Sequence, residues 1–154
     1  MSLRLDVSRE VDAPVAAVWE VLIDWTGQSR WIPGTTVKIT HDHDRGLGVR
    51  AEALSGVWLG RIPLGLLDRF IVTGWSPPGD EAAELEVLHL GPYFTGEGAF
   101  RLTGRDGKTI VSCTEVFSLP GGRAVEWLAR LALPALRAGF ASSLHKLREI
   151  AEAP

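Results

Sequence analysis

The chain has 154 residues, 45% apolar and 23% charged, with a formal net charge of −3. That length suits a single domain spanning 1–154 with its own core, and the composition excludes a disordered chain. The charge offers no basic footprint, so nucleic acid is not an expected partner.

Leu3 to Val11 alternates apolar and polar residues and predicts a strand. DAPVAAVWEVLIDW then predicts a helix with Pro14 in its first turn and Asp12 near its positive end. Val15, Val18, Trp19 and Leu22 follow helical spacing and mark its buried stripe. A second short helix is expected over Gly27–Trp31, ending at Pro33-Gly34. From Thr35 to Pro120 the pattern is β, with strands at Thr36–His41, Gly48–Leu59, Leu67–Trp75, Ala83–Leu90, Phe94–Thr103 and Thr109–Leu119. Short turns such as GRIPLG and GRDGK separate them and favour antiparallel hairpins. After Gly121-Gly122 a helix of nearly thirty residues closes the chain, with Leu133, Leu136, Phe140, Leu144 and Leu147 as its stripe.

A single cysteine, Cys113, rules out an internal disulfide and suits a reducing compartment. MSLRLDVSRE shows no apolar signal segment. Ala124 to Leu144 is the most apolar long stretch, but Glu126, Arg130, Pro134 and Arg137 interrupt it. A cytoplasmic protein without integral membrane association is therefore expected, and its oligomeric state is left open.

THDHDRG, residues 40–46, carries two histidines and two aspartates that can all ligate a metal. In an extended strand His41 and His43 would lie about 7 Å apart, slightly far for one zinc. The stretch also runs into a turn where Asp and Gly serve the backbone. A solvated turn is the expectation, with no metal and no cofactor.

Three segments carry a family resemblance: VSREVDAPVAAVWEVLIDWTGQSRWIPG at the start, FIVTGWSPPG in the middle and GEGAFRLTGRDGKTIVSCTEVFSLPGG before the last helix. They resemble the START-like, or Bet v 1-like (SRPBCC), superfamily, in its bacterial polyketide cyclase/dehydrase and lipid transport branch. The resemblance spans essentially the whole chain. It implies an α+β helix-grip fold, with a curved antiparallel sheet of six to seven strands around a long C-terminal helix and two short helices after the first strand. It also implies an internal cavity between the sheet and the C-terminal helix for a hydrophobic small-molecule ligand, a lipid, polyketide or isoprenoid-like compound. No catalytic signature comes with it, so the catalytic residues are left unassigned.

Strand alternation supplies the candidates for that cavity. Glu84 and Glu86 face outward, which turns Leu85, Val87 and His89 inward. His89 is either a strand-end histidine satisfied by backbone or water, or a polar anchor facing the cavity. The same alternation turns Cys113 and Glu115 inward, the carboxylate being either salt-bridged near a bend or aimed at a ligand. Phe100 shares its face with Gly96 and Gly98, which remove volume or permit curvature. Tyr93 stands at a strand edge. Trp127, Leu131, Leu136 and Phe140 form a helical stripe that serves as core, cavity wall or both.

A ligand-sized cavity above about 300 Å³ is expected. Pro134 and Gly139 soften the last helix over Ala132 to Phe140, which with the loop around Arg61–Gly65 is the expected portal. Two alternatives accompany simple binding: a polyketide cyclase or dehydratase using His89 and Glu115, and an interaction module exposing Trp58 or Trp75.

Overall fold

The alternation at the N-terminus becomes β1, Leu3–Val11, an edge strand whose apolar side is buried at Leu3, Leu5 and Val11. The computed structural model describes residues 2–59 and 61–154, without the side chains of 57–59, 62 and 63. Helix α1 follows at Val15–Ile23 and buries the expected stripe of Val15, Val18, Trp19 and Leu22, together with Ile23. Pro14 is the N-cap and not the first helical residue. It is extended at φ −68° and ψ 156°, a geometry its ring favours. The second short helix is a 3-10 turn at Thr26–Arg30.

Six further strands follow: β2 Thr35–Ile39, β3 Arg50–Leu59, β4 Ile62–Ser76, β5 Ala82–Pro92, β6 Thr95–Arg105 and β7 Lys108–Ser118. All pair antiparallel in one sheet of order β1-β7-β6-β5-β4-β3-β2, so β7 returns to pair with the first strand. Two expected boundaries change. β2 stops at Ile39, so residues 40–46 form a bend outside the sheet. β4 begins at Ile62, so most of Arg61–Gly65 is paired strand and not a loop, with Gly56 opposite Gly65.

The long helix α2 occupies Gly122–Ala151. It packs on β1 and α1. Only Ser143, Leu144 and Leu147 are buried along it, all in its C-terminal half. Two bonds fasten that end. Glu152 accepts from the Asp12 backbone N–H at 2.7 Å, and Arg148 reaches the same carboxylate at 2.8 Å. The dry core lies where α1, α2 and the sheet meet, around Trp19, Leu22, Leu102, Val111, Leu144 and Leu147. No helix among the described residues is long and apolar enough to cross a membrane.

Candidate functional site

Continuous with that core through Trp25, Trp31, Phe70, Leu85 and Val87, the sheet opens into a cleft of about 170 Å³. No described residue of α2 lines it, contrary to the cavity expected beneath that helix. The cleft volume is below the 300 Å³ expected of a ligand-sized cavity. Five aromatic rings wall it: Trp25 and Trp31 from the segment around the 3-10 turn, Phe70 from β4, Phe94 from the β5–β6 turn and Phe100 from β6. Trp31 meets Phe100 edge to face, with centroids 6.3 Å apart, a favourable aromatic geometry.

Six polar side chains share these walls: Gln28, Thr35 and Ser55, and the ionisable Asp68, His89 and Glu115. His89 sits on the inward side of β5, as alternation required, and is buried with Leu85 and Val87. Its Nδ1 lies 2.8 Å from Asp68 Oδ2 and its Nε2 lies 3.1 Å from Glu115 Oε2. Carboxylates only accept, so an imidazolium satisfies both contacts by donating from each nitrogen. Burial alone would push the His89 pKa down. The hydrogen bonds and charges of Asp68 and Glu115 outweigh it and raise the pKa from 6.5 to about 9.

The contact between His89 and Glu115 spans a strand. His89 on β5 pairs with Gly96 on β6, and Gly98 on β6 pairs with Glu115 on β7. Strands two places apart are separated by roughly 10 Å, and side chains on the middle strand would normally stand between them. Glycine leaves that space open. A Cβ on Gly98 would come within 2.8 Å of both Glu115 carboxyl oxygens and 3.0 Å of Val87. The Glu115 carboxylate occupies the room that a side chain at residue 98 would need.

Cys113 is buried two residues before Glu115 on the same face, with its Sγ 3.9 Å from Glu115 Oε1. Burial pushes its thiol well above the usual pKa and the carboxylate adds to the effect, so it is a poor nucleophile. Two wall atoms have no hydrogen-bond partner among the described residues: Trp31 Nε1 and Asp68 Oδ1.

Of the sequence candidates, the fold brings His89, Glu115 and Phe100 together in the cleft walls. Tyr93 is exposed at the β5–β6 turn. Trp127, Leu131 and Leu136 are exposed on α2, and Phe140 is half-buried against the core. Asp68 was missed, although Leu66, Asp68 and Phe70 lie at strand spacing. Beginning the strand at Leu67 left Asp68 at its end without an assigned face, whereas the register shift there falls on β5, between His89 and Pro92. Trp75 is half-buried and packs edge to face on Trp19 at 5.1 Å, so it forms no exposed patch. The Trp58 side chain lies outside the described residues.

The bend at residues 40–46 places His41, Asp42 and His43 on the surface, with donor atoms within 4.8 Å of one another. The 7 Å separation of an extended strand therefore does not hold, because the chain has already left β2. The stretch also has a structural role. Trp25 Nε1 donates to the Asp44 carbonyl at 2.7 Å, and Arg45 pairs with Glu20 of α1 at 2.8 Å.

Solved structures share this architecture. A Thermus thermophilus protein is 18% identical with a TM-score of 0.75, covering 97% of this chain and 97% of that one. The Zhui aromatase/cyclase of a Streptomyces species is 21% identical with a TM-score of 0.69, covering 99% of this chain and 94% of that one. A conserved protein of Geobacillus kaustophilus is 21% identical with a TM-score of 0.73, covering 97% of this chain and 96% of that one. At such identities the likeness is one of fold. No curated protein matches at comparable significance. Residues 2–152 match the family described as polyketide cyclase / dehydrase and lipid transport, and the chain belongs to that family.

Proposed function

We propose that the protein binds an apolar small molecule, a lipid, polyketide or isoprenoid-like compound, in the cleft between the sheet and the 3-10 turn. One observation carries the reading: a cleft walled by five aromatic rings also contains a histidine hydrogen-bonded to two carboxylates. Such a surface meets a hydrocarbon body on its walls and a polar end at His89, Asp68 and Glu115. Burying roughly 200 Å² of apolar ligand area contributes about 5 kcal/mol before the losses of association.

A cleft of about 170 Å³ holds only part of a long ligand. The remainder would project from the cleft. Native mass spectrometry of protein purified from cell extract is the test, paired with titration of the neutral apolar dye Nile red. A co-purified small molecule and saturable dye binding competed by long-chain lipids are expected. Absence of both would exclude the binding reading.

A second reading, a cyclase or dehydratase, is favoured by the contacts of His89. An imidazolium can protonate a carbonyl or a departing hydroxyl while a neighbouring carboxylate takes a proton from an adjacent carbon. Both ring nitrogens are engaged, so one carboxylate must yield to the substrate first. Turnover of a co-purified compound by the wild type, lost in His89→Gln, separates this reading from binding alone.

A further inference from the structure

Asp68 and Glu115 line the cleft and carry four carboxylate oxygens between them, of which His89 takes two. Asp68 Oδ1 is buried without a hydrogen-bond partner among the described residues, so a turn of the side chain is needed to present it to the cleft. Glu115 Oε1 has a thiol contact at 3.9 Å, a weak donor at long range. The described residues lining the cleft include no lysine and no arginine. Counting one imidazolium against two carboxylates leaves a formal charge of −1 in a site walled by aromatic rings. A buried charge without a counterpart is costly, and aromatic faces are themselves electron-rich.

We propose that the cleft selects an apolar molecule carrying a protonated amine, its ammonium seated between Asp68 Oδ1 and the faces of the surrounding rings. This rests on the small-molecule reading above and narrows it to a chemical class. An ammonium brings hydrogen-bond donors to the unpaired oxygen, balances the charge and is attracted to ring faces. A carboxylate of the same body would add a third negative charge beside the first two and would be repelled. A neutral alcohol lies between, able to donate to Asp68 Oδ1 without balancing the charge.

Three probes with one apolar body, chosen to suit the small cleft, test the idea: 4-phenylbutylamine, 4-phenylbutanol and 4-phenylbutanoate. Their binding to the full chain at pH 7 is followed by calorimetry and by tryptophan fluorescence, since Trp25 and Trp31 line the cleft. The amine is expected to bind about tenfold or more tightly than the alcohol, and the carboxylate weakest. Asp68→Asn, checked for folding by circular dichroism, should reduce the amine-to-alcohol affinity ratio by about tenfold. The ratio is internal to each variant, so a general loss of stability does not imitate the effect. Equal binding of all three probes, or preference for the carboxylate, would overturn the inference while leaving small-molecule binding in place. If none of the three binds while Nile red does, the inference falls and the binding reading stands; if Nile red also fails, both fall. An unchanged ratio in Asp68→Asn would remove Asp68 as the anchor and with it the proposal.

Discussion

From Phe140 onward α2 lies against β1 and α1, with Leu144 and Leu147 buried, whereas Trp127, Leu128 and Leu131 in its first half are about 60% exposed. Both halves carry large apolar side chains at helical spacing, yet only one is covered. The sheet divides in the same way. Its face beside α1 and the end of α2 is filled by dry packing, while the face beside the 3-10 turn stays open around His89. One end of this face is filled by side chains, and the other, though most of its walls are buried, keeps a cleft of about 170 Å³ beside His89. Apolar spacing shows which way a helix faces its core, but it does not show whether anything fills the space opposite.

Substitutions should separate the two halves. Leu147→Ala removes a fully buried side chain and is expected to cost about 2–5 kcal/mol, read as a fall in urea midpoint. A cost below about 1 kcal/mol would mean that the covered half is not the anchor. At the open end, the His89 proton is the largest single contribution to expect. With its pKa raised to about 9, it stabilises the fold fully below about pH 6.5, and that contribution is lost as pH rises through 9. Up to about 3 kcal/mol should disappear across this window in the wild type and not in His89→Gln. A flat profile in the wild type would show that His89 lacks one of its carboxylates in solution.

Gly98→Ala should be milder, about 1–2 kcal/mol, because the flexible Glu115 side chain can swing away. Its signature is a lowered His89 pKa by NMR titration, as one raising partner is lost. Unchanged titration would mean that the carboxylate does not need the gap in β6. In α2, Pro134→Ala with Gly139→Ala should stiffen the soft segment, and an added methyl at 139 meets nothing within 4 Å. Stopped-flow dye binding is expected to show severalfold slower uptake and release with little change in affinity. Unaltered rates would place the portal elsewhere. Leu131→Ala should change stability by less than about 0.5 kcal/mol. A larger loss would reveal that the exposed half is covered in solution.

The inward faces of β5 and β7 were legible because one side of an antiparallel sheet is buried and alternation is strict there. This located His89 beside Leu85 and Val87, and Glu115 beside Cys113. Asp68 was not legible, since the sequence pattern begins the strand at Leu67 and leaves Asp68 at its very end, without a run of neighbours to fix its face. Trp25 and Trp31 were missed as cleft walls because a 3-10 turn of five residues is too short to show a periodic face. The positions of Trp127 and Leu131 on the helix could be read, but not their exposure, which depends on where the sheet ends relative to α2.

Gly98 and Glu115 form a pair in which the carboxylate keeps its place beside His89 only because the glycine has no side chain. Two such positions cannot drift independently over evolutionary time. A relative that gains an alanine or larger residue at the position of Gly98 is expected to have already lost the acid at the position of Glu115. A relative that keeps the acid should keep the glycine, even where the strands around them share no other residues.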